Sequence, residues 1–203
     1  MVPSLSPGLH PIPPGHLATV VTHLEMAGHP APRPAPAGAA ELVAVPEPGL
    51  DWYRGLFRRV GADWLWVSRL RMADDALAAV LGDRDVEVFA VRRDGRDEGL
   101  LELDFRVEGV AELAFFGLSA DVQGGGVGRW LMNEALGRMF ARVDRVVVHT
   151  CTLDHPAALD FYRRTGFGIV RQEVEVLADP RLDGTLPRDA APHVPLAVPA
   201  VAG

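Results

Sequence analysis

The six residues Gln123-Gly124-Gly125-Gly126-Val127-Gly128 have the types and spacing needed to hold a phosphate. Four of them are glycine, so a ligand can approach the main chain without meeting side chains. Val127, Leu131, Ala135, Leu136, Met139 and Phe140 follow as one apolar stripe at helical spacing, with Glu134 and Arg138 paired on the opposite side. The loop therefore opens a helix. Unpaired amides of a first helical turn, with the positive end of the helix dipole behind them, suit a phosphate or pyrophosphate. A tight turn would use the same glycines, so the context must decide.

A Walker loop needs a lysine after its glycines, and this chain has no lysine at all: its 20 cations are all arginine. Schiff-base and lysine-base mechanisms fall with it. A dinucleotide site needs a parallel βαβ unit with an acidic residue about twenty positions on, ending the second strand. Asp144 lies near that distance, but it precedes the next apolar segment, Arg145 to Cys151.

The elements that must position the loop can be read from periodicity. Val86 to Arg92, a turn at Arg93-Asp94-Gly95-Arg96, and a segment from near Gly99 form a hairpin. Leu101 to Val107 alternates strictly, placing Glu102, Asp104 and Arg106 on one face. Glu108-Gly109 turns into Val110 to Leu118, which runs straight into the glycines. This is an antiparallel meander. Upstream, Trp52, Tyr53, Leu56, Phe57 and Val60 mark a helix with Asp51 as N-cap and Gly61 as stop. A second, shorter helix carries Leu77, Val80 and Leu81 between Asp74 or Asp75 and Gly82. His16 to Met26 is either a first strand or a short helix. Asp63-Trp64-Leu65-Trp66-Val67 reads first as core packing and second as one wall of a substrate cleft.

Taken with its flanks, Leu118 to Leu131 resembles motif A of the GNAT superfamily of N-acetyltransferases, whose Gln/Arg-x-x-Gly-x-Gly/Ala loop binds the pyrophosphate of acetyl-CoA. Gln123, Gly126 and Gly128 match that pattern. Asp154 to Phe167, ending Tyr162-Arg163-Arg164-Thr165-Gly166-Phe167, resembles motif B of the same family at the family's spacing. The resemblance covers about residues 86–176. It implies an α/β fold with a mixed, mostly antiparallel sheet flanked by helices and splayed where acetyl-CoA wedges between two strands.

It further implies that main-chain amides of Gln123, Gly124, Gly125, Gly126, Val127, Gly128 and Arg129 grip the diphosphate. Backbone groups of Phe116, Gly117 and Leu118 would meet the thioester and pantetheine where the strand bulges, and a glycine inside a strand independently suggests a bulge or close approach. His155 stands where many members carry an Asn that touches the pantetheine arm. Asp154 or His155 is also a candidate cap for the motif B helix, with Pro156 in its first turn and Gly166 at its end.

Acetyl transfer to an amine needs a proton acceptor, an oxyanion donor and a proton for the leaving thiolate. Tyr162 matches the proton donor, and Ala158 one helical turn earlier leaves room beside its ring. Glu112, eleven residues before Gln123, matches the catalytic Glu of the histone-type members; a solvated strand-edge Glu is the alternative. Glu102 and Asp104 offer an acidic wall for a cationic acceptor, with a solvated face as the commoner explanation. His149, Cys151, Asp154 and His155 lie close in sequence, but a strand and a helix cap account for them better than a metal, and no metal is expected. Cys151 reads as a small buried hydrophobe.

Composition bounds the rest. The 203 residues allow one domain, over residues 16–178, with a Pro-rich arm at 1–15, a surface linker at 28–38 and a tail at 179–203. A net charge of 20 − 27 = −7 disfavours a sequence-independent nucleic-acid binder. The single cysteine fits a reducing cytoplasm, and no segment suggests export or a membrane span. The expected partner is a small-molecule or peptide amine; a homodimer is left open. The competing function is a non-catalytic acyl-CoA-binding module, and a weaker third is a nucleotide-binding domain.

Overall fold

The computed structural model describes residues 5–35 and 40–198. The chain starts with β1 (His16–Ala27), where the β-branched run Thr19-Val20-Val21-Thr22 favours strand over helix. Then come β2 (Glu41–Ala44), α1 (Leu50–Gly61), α2 (Ser68–Arg71) and α3 (Asp74–Leu81). The meander follows as β3 (Val86–Arg93), β4 (Arg96–Asp104) and β5 (Val110–Leu118). The remainder is α4 (Val127–Phe140), β6 (Arg145–Cys151), α5 (Ala158–Thr165) and β7 (Gly168–Ala178).

Among the described residues seven strands make one sheet in the order β2-β3-β4-β5-β6-β1-β7. Only β5 and β6 pair in parallel; every other neighbour is antiparallel. β1 is an interior strand, bonded to β6 on one side and β7 on the other. Helices α4 and α5 cover one sheet face over Leu24, Leu101, Leu103, Leu113, Val146 and Val148. Helices α1 and α3 cover the other over Val88, Ala90 and Leu100.

That second layer changes the meaning of the alternation in β4. Glu102 does not face water: it is fully buried beneath α1 and α2, accepting hydrogen bonds from the Tyr53 hydroxyl and Arg69 Nη2. Burial, with the Glu102 charge, drives the Tyr53 phenol far above its ordinary value, so it stays a donor. The strand also ends at Asp104, whose carboxylate is taken by Arg106 at 2.5 Å. The expected acidic wall is therefore absent, because both faces of the sheet centre are roofed.

Helix ends differ from expectation in the same way. Asp51 lies inside the first turn of α1, and neither Asp74 nor Asp75 caps α3 with its side chain. Asp74 instead pairs with Arg54 at 2.6 Å. Gly61 is the last residue of α1, and a Cβ there would fall 2.5 Å from the Trp66 side chain, so the glycine admits the indole.

Beyond Ala178 the described residues form turns packed on the domain. Arg181, buried with Asp179 at 2.7 Å, donates to the carbonyls of Ala190, Ala191, Val194 and Pro195. Leu186, Ala190 and Ala191 thereby close over Leu17, Leu65 and Leu153. The linker is docked too: Arg129 Nη1 donates to the Pro34 carbonyl and Asn133 Nδ2 to that of Arg33.

Removing one partner of a buried ion pair strands the other charge. Arg69→Ala is therefore expected to cost about 3–5 kcal/mol in urea unfolding, and pairing it with Glu102→Leu to restore most of that loss.

Candidate active site

The pairing of β5 with β6 covers only Val110 to Glu112 against Arg145 to Val147. Past that point the strands part. A bulge contributes: Glu102 of β4 faces Phe115 while Leu103 faces Leu113, leaving Ala114 as the extra residue. The bulge thus falls three residues before Gly117, where a close approach is also found. A Cβ on Gly117 would sit 2.3 Å from Val60 Cγ1 and 2.9 Å from Trp66 Cη2.

The gap becomes a cleft of about 500 Å³. One wall is the unpaired edge of β5 from Leu113 to Leu118; the other is His149 and Cys151 of β6 with Ala157, Ala158, Phe161 and Tyr162. Gln123, Gly124 and Gly128 of the glycine loop and Trp64 to Ser68 complete the lining.

In the glycine loop, Gly124, Gly125 and Gly126 have φ of +88°, +55° and +88°, conformations that exclude most other residues. A Cβ on Gly124 or Gly125 would meet nothing within 4 Å, so the space before this backbone is open. Among the described residues the amides of Gly124, Gly125, Gly126 and Gly128 have no acceptor, whereas Val127 N donates to Gly124 O at 3.2 Å. Val127 is buried beneath the loop, and Gln123 Nε2 donates to the Leu118 carbonyl at 3.0 Å. The arrangement is an anion nest at the start of a fourteen-residue helix.

On α5, Tyr162 packs edge-on against Phe161, Phe167 and Phe116 and is 7% exposed. No hydrogen bond of its hydroxyl is found among the described residues, and the side chain lines the cleft. Burial, reinforced by the Asp154 charge, raises the phenol well above its ordinary value. Gly166 at φ +120° ends α5, its amide bonded to the carbonyls of Tyr162 and Arg163.

Asp154 does not cap α5, which starts at Ala158. Its carboxylate accepts from Trp66 Nε1 at 2.9 Å, Thr150 Oγ1 at 2.7 Å and Cys151 N at 2.9 Å. One side chain thus ties the aromatic wall to the end of β6. Trp66 combines both roles weighed for its segment, packing on Phe57 and Phe115 while lining the cleft. Leu65, at φ +55°, separates it from Trp64, which contacts His155 and His193.

Of the residues expected from sequence, Phe116, Gly117, Leu118, Gln123, Gly124, Gly128, His155 and Tyr162 line the cleft. Gly125, Gly126, Val127 and Arg129 do not line it. Glu112 stands just behind, at the last paired position, with its carboxylate 3.2 Å from Nδ1 of His149. Cys151 is half-buried, packed against the Leu17, Leu65 and Leu153 cluster while also lining the cleft. The sequence weighs His149 and Asp154 as a metal cluster or as strand and cap residues; their contacts with Glu112 across the sheet and with Trp66 from a distant loop leave no local signal. Among the described residues no group of three or more His, Cys, Asp or Glu side chains is placed to hold a metal, and no helix is long and apolar enough to cross a membrane.

No curated protein matches the chain in sequence. Solved structures similar to it include a GCN5-related N-acetyltransferase from Sphaerobacter thermophilus, with TM-score 0.59 and 15% identity over 80% of this chain and 53% of that one. Others are a functionally unknown conserved protein from Staphylococcus epidermidis (0.55, 13%, 81% and 63%) and an acetyltransferase from Thermus thermophilus (0.51, 17%, 69% and 98%). At such identities the likeness is one of fold, and the chain spans less than two thirds of the length of the first two. The model of the acetyltransferase (GNAT) family matches residues 50–167, more than half of the chain and both motif regions. Sheet, splay and glycine nest agree with that match, and the chain belongs to the GNAT acetyltransferase family.

Proposed function

We propose that the protein is an N-acetyltransferase that moves an acetyl group from acetyl-CoA to a primary amine of a small molecule or peptide by direct attack, with no covalent enzyme intermediate. The observation that carries this reading is the unpartnered Tyr162 phenol lining the same cleft as a glycine turn of unpaired amides.

The residues present fit the cosubstrate. Positive-φ glycines with open space before them accept a diphosphate, and the free edge of β5 at Phe116, Gly117 and Leu118 offers main-chain groups to an extended pantetheine. Acetyl-CoA supplies an activated thioester. Tyr162, kept protonated by burial, donates to the leaving sulfur. Burial, together with the Asp154 charge, pushes the Cys151 thiol up, which disfavours a thiolate nucleophile and supports direct attack. The carboxylate of Glu112, paired with His149, provides the basic character on the acceptor side, directly or through its neighbour. Glu175 and Asp154 on the cleft wall favour a cationic amine, and the tryptophans give it an apolar surface. A reducing cytoplasm as the site of action accords with the single unpaired cysteine.

Two measurements test the reading. Tyr162→Phe is expected to lower kcat about a hundredfold or more with the KM for acetyl-CoA nearly unchanged; an unchanged kcat removes the tyrosine from the chemistry. Gly124→Val, a β-branched residue at φ +88°, is expected to weaken CoA binding at least about tenfold in calorimetry. Binding of CoA without its release from acetyl-CoA for any amine would favour an acyl-CoA-binding module instead.

A further inference from the structure

The α1-side face of the sheet is roofed over β3, β4 and part of β5, and over β1, β6 and β7 the turns beyond Ala178 cover it at Leu17, Cys151 and Leu177, leaving it partly exposed further along at His23 and His149. On that exposed part, polar side chains stand in a row across four strands. Glu112 of β5 meets His149 of β6. His149 lies directly across from His23 of β1, their ring centroids 5.9 Å apart. His23 in turn is 2.7 Å from Glu173 of β7 and is flanked by Arg171. A solvated sheet face needs no such order. Nor does the row stabilise the core, since His149 and Glu112 keep 48% and 40% of their side chains exposed.

His149 is the member of this row that also lines the cleft, together with Tyr162. Its Nδ1 is taken by Glu112, and its Nε2 has no partner among the described residues. A carboxylate on one ring nitrogen fixes the tautomer in which Nδ1 carries the proton and Nε2 presents its lone pair.

We propose that His149 Nε2 is the catalytic proton acceptor for the incoming amine, and that Glu112 acts through it as a positioning residue. The proposal rests on the acetyl-transfer reading above and deepens it. In the step, Nε2 takes a proton from the amine as the nitrogen lone pair forms the C–N bond. The C–S pair leaves with sulfur, which takes the Tyr162 proton. Solvent then returns a proton to the phenolate and removes one from the imidazolium, so no further reactant is needed.

The surroundings tune the imidazole toward this task. The hydrogen bond that its ring donates to Glu112 raises its pKa above the ordinary 6.5, burial opposes this, and the charges of Glu112, Asp154 and Glu175 add to the rise. The ionisable groups facing it are Glu112 from β5, His23 from β1, Glu173 and Glu175 from β7 and Asp154 after β6, with Arg171 beyond His23. A base works in its neutral form, so the rate should climb with pH through a value above 6.5.

The test uses the full chain with tyramine, spermidine, kanamycin and a tetrapeptide as acceptors, following CoA release, alongside NMR titration of the histidine rings. His149→Gln and His149→Asn are expected to lower kcat about a hundredfold and abolish the rising limb, with CoA affinity within twofold of the native value. Glu112→Gln should move both the limb and the His149 ring titration to lower pH, and Glu112→Asp should move them back. A native rising limb in either His149 variant overturns the assignment while leaving acetyl transfer intact. Binding of CoA by the native chain with no release for any acceptor overturns acetyl transfer and this proposal with it.

Discussion

The site exists because β5 and β6 stay together for only three residues and then separate. Two parallel strands at ordinary spacing would satisfy each other's amides and carbonyls and leave no room for a ligand. The extra residue at Ala114 helps turn β5 away, and Gly117, jammed against Val60 and Trp66, lets the strand lean toward α1. A row of main-chain groups is left without a protein partner, and such groups demand one from water or from a bound chain. The glycine turn and the Tyr162 phenol both line this same opening. Without the separation they would be ordinary features of a turn and a packed helix.

Much of this was legible in the residues. The meander, the glycine-rich turn and both motif helices follow from alternation, spacing and glycine placement, because each is set by contacts local in sequence. What local pattern does not carry is which layer covers a strand face. Glu102 alternates as a solvated residue should, yet it lies under Tyr53 and Arg69 from helices over thirty residues away. Asp154 has the sequence position of a helix cap, but the indole of Trp66 arrives from elsewhere and takes its carboxylate. His149 has meaning only through Glu112 on a neighbouring strand. In all three cases the partner of a polar group comes from an element distant in sequence, which local pattern does not carry.

The same contrast separates the two kinds of carboxylate in the protein. Glu102 and Asp179 are sealed with arginines and serve to fix layers, where a displaced partner would leave a charge stranded. Glu112, Glu173 and Glu175 stand on a partly exposed face, where charge is cheap to maintain and free to act on what diffuses in. Burial, rather than residue type, decides between the two uses.

The interior place of β1 has a consequence for how the molecule is built. The strand nearest the amino end bonds to β6 and β7, whose residues come more than a hundred positions later. Three of the seven strands therefore join only after nearly the whole described chain has been made, a topology of long-range pairings that folds slowly. Until then its β-branched run has two open edges, the kind of template that invites mispairing with other nascent chains. Trimming from that end would take a stave from the middle of the sheet, where a cut at a border strand would take only a rim.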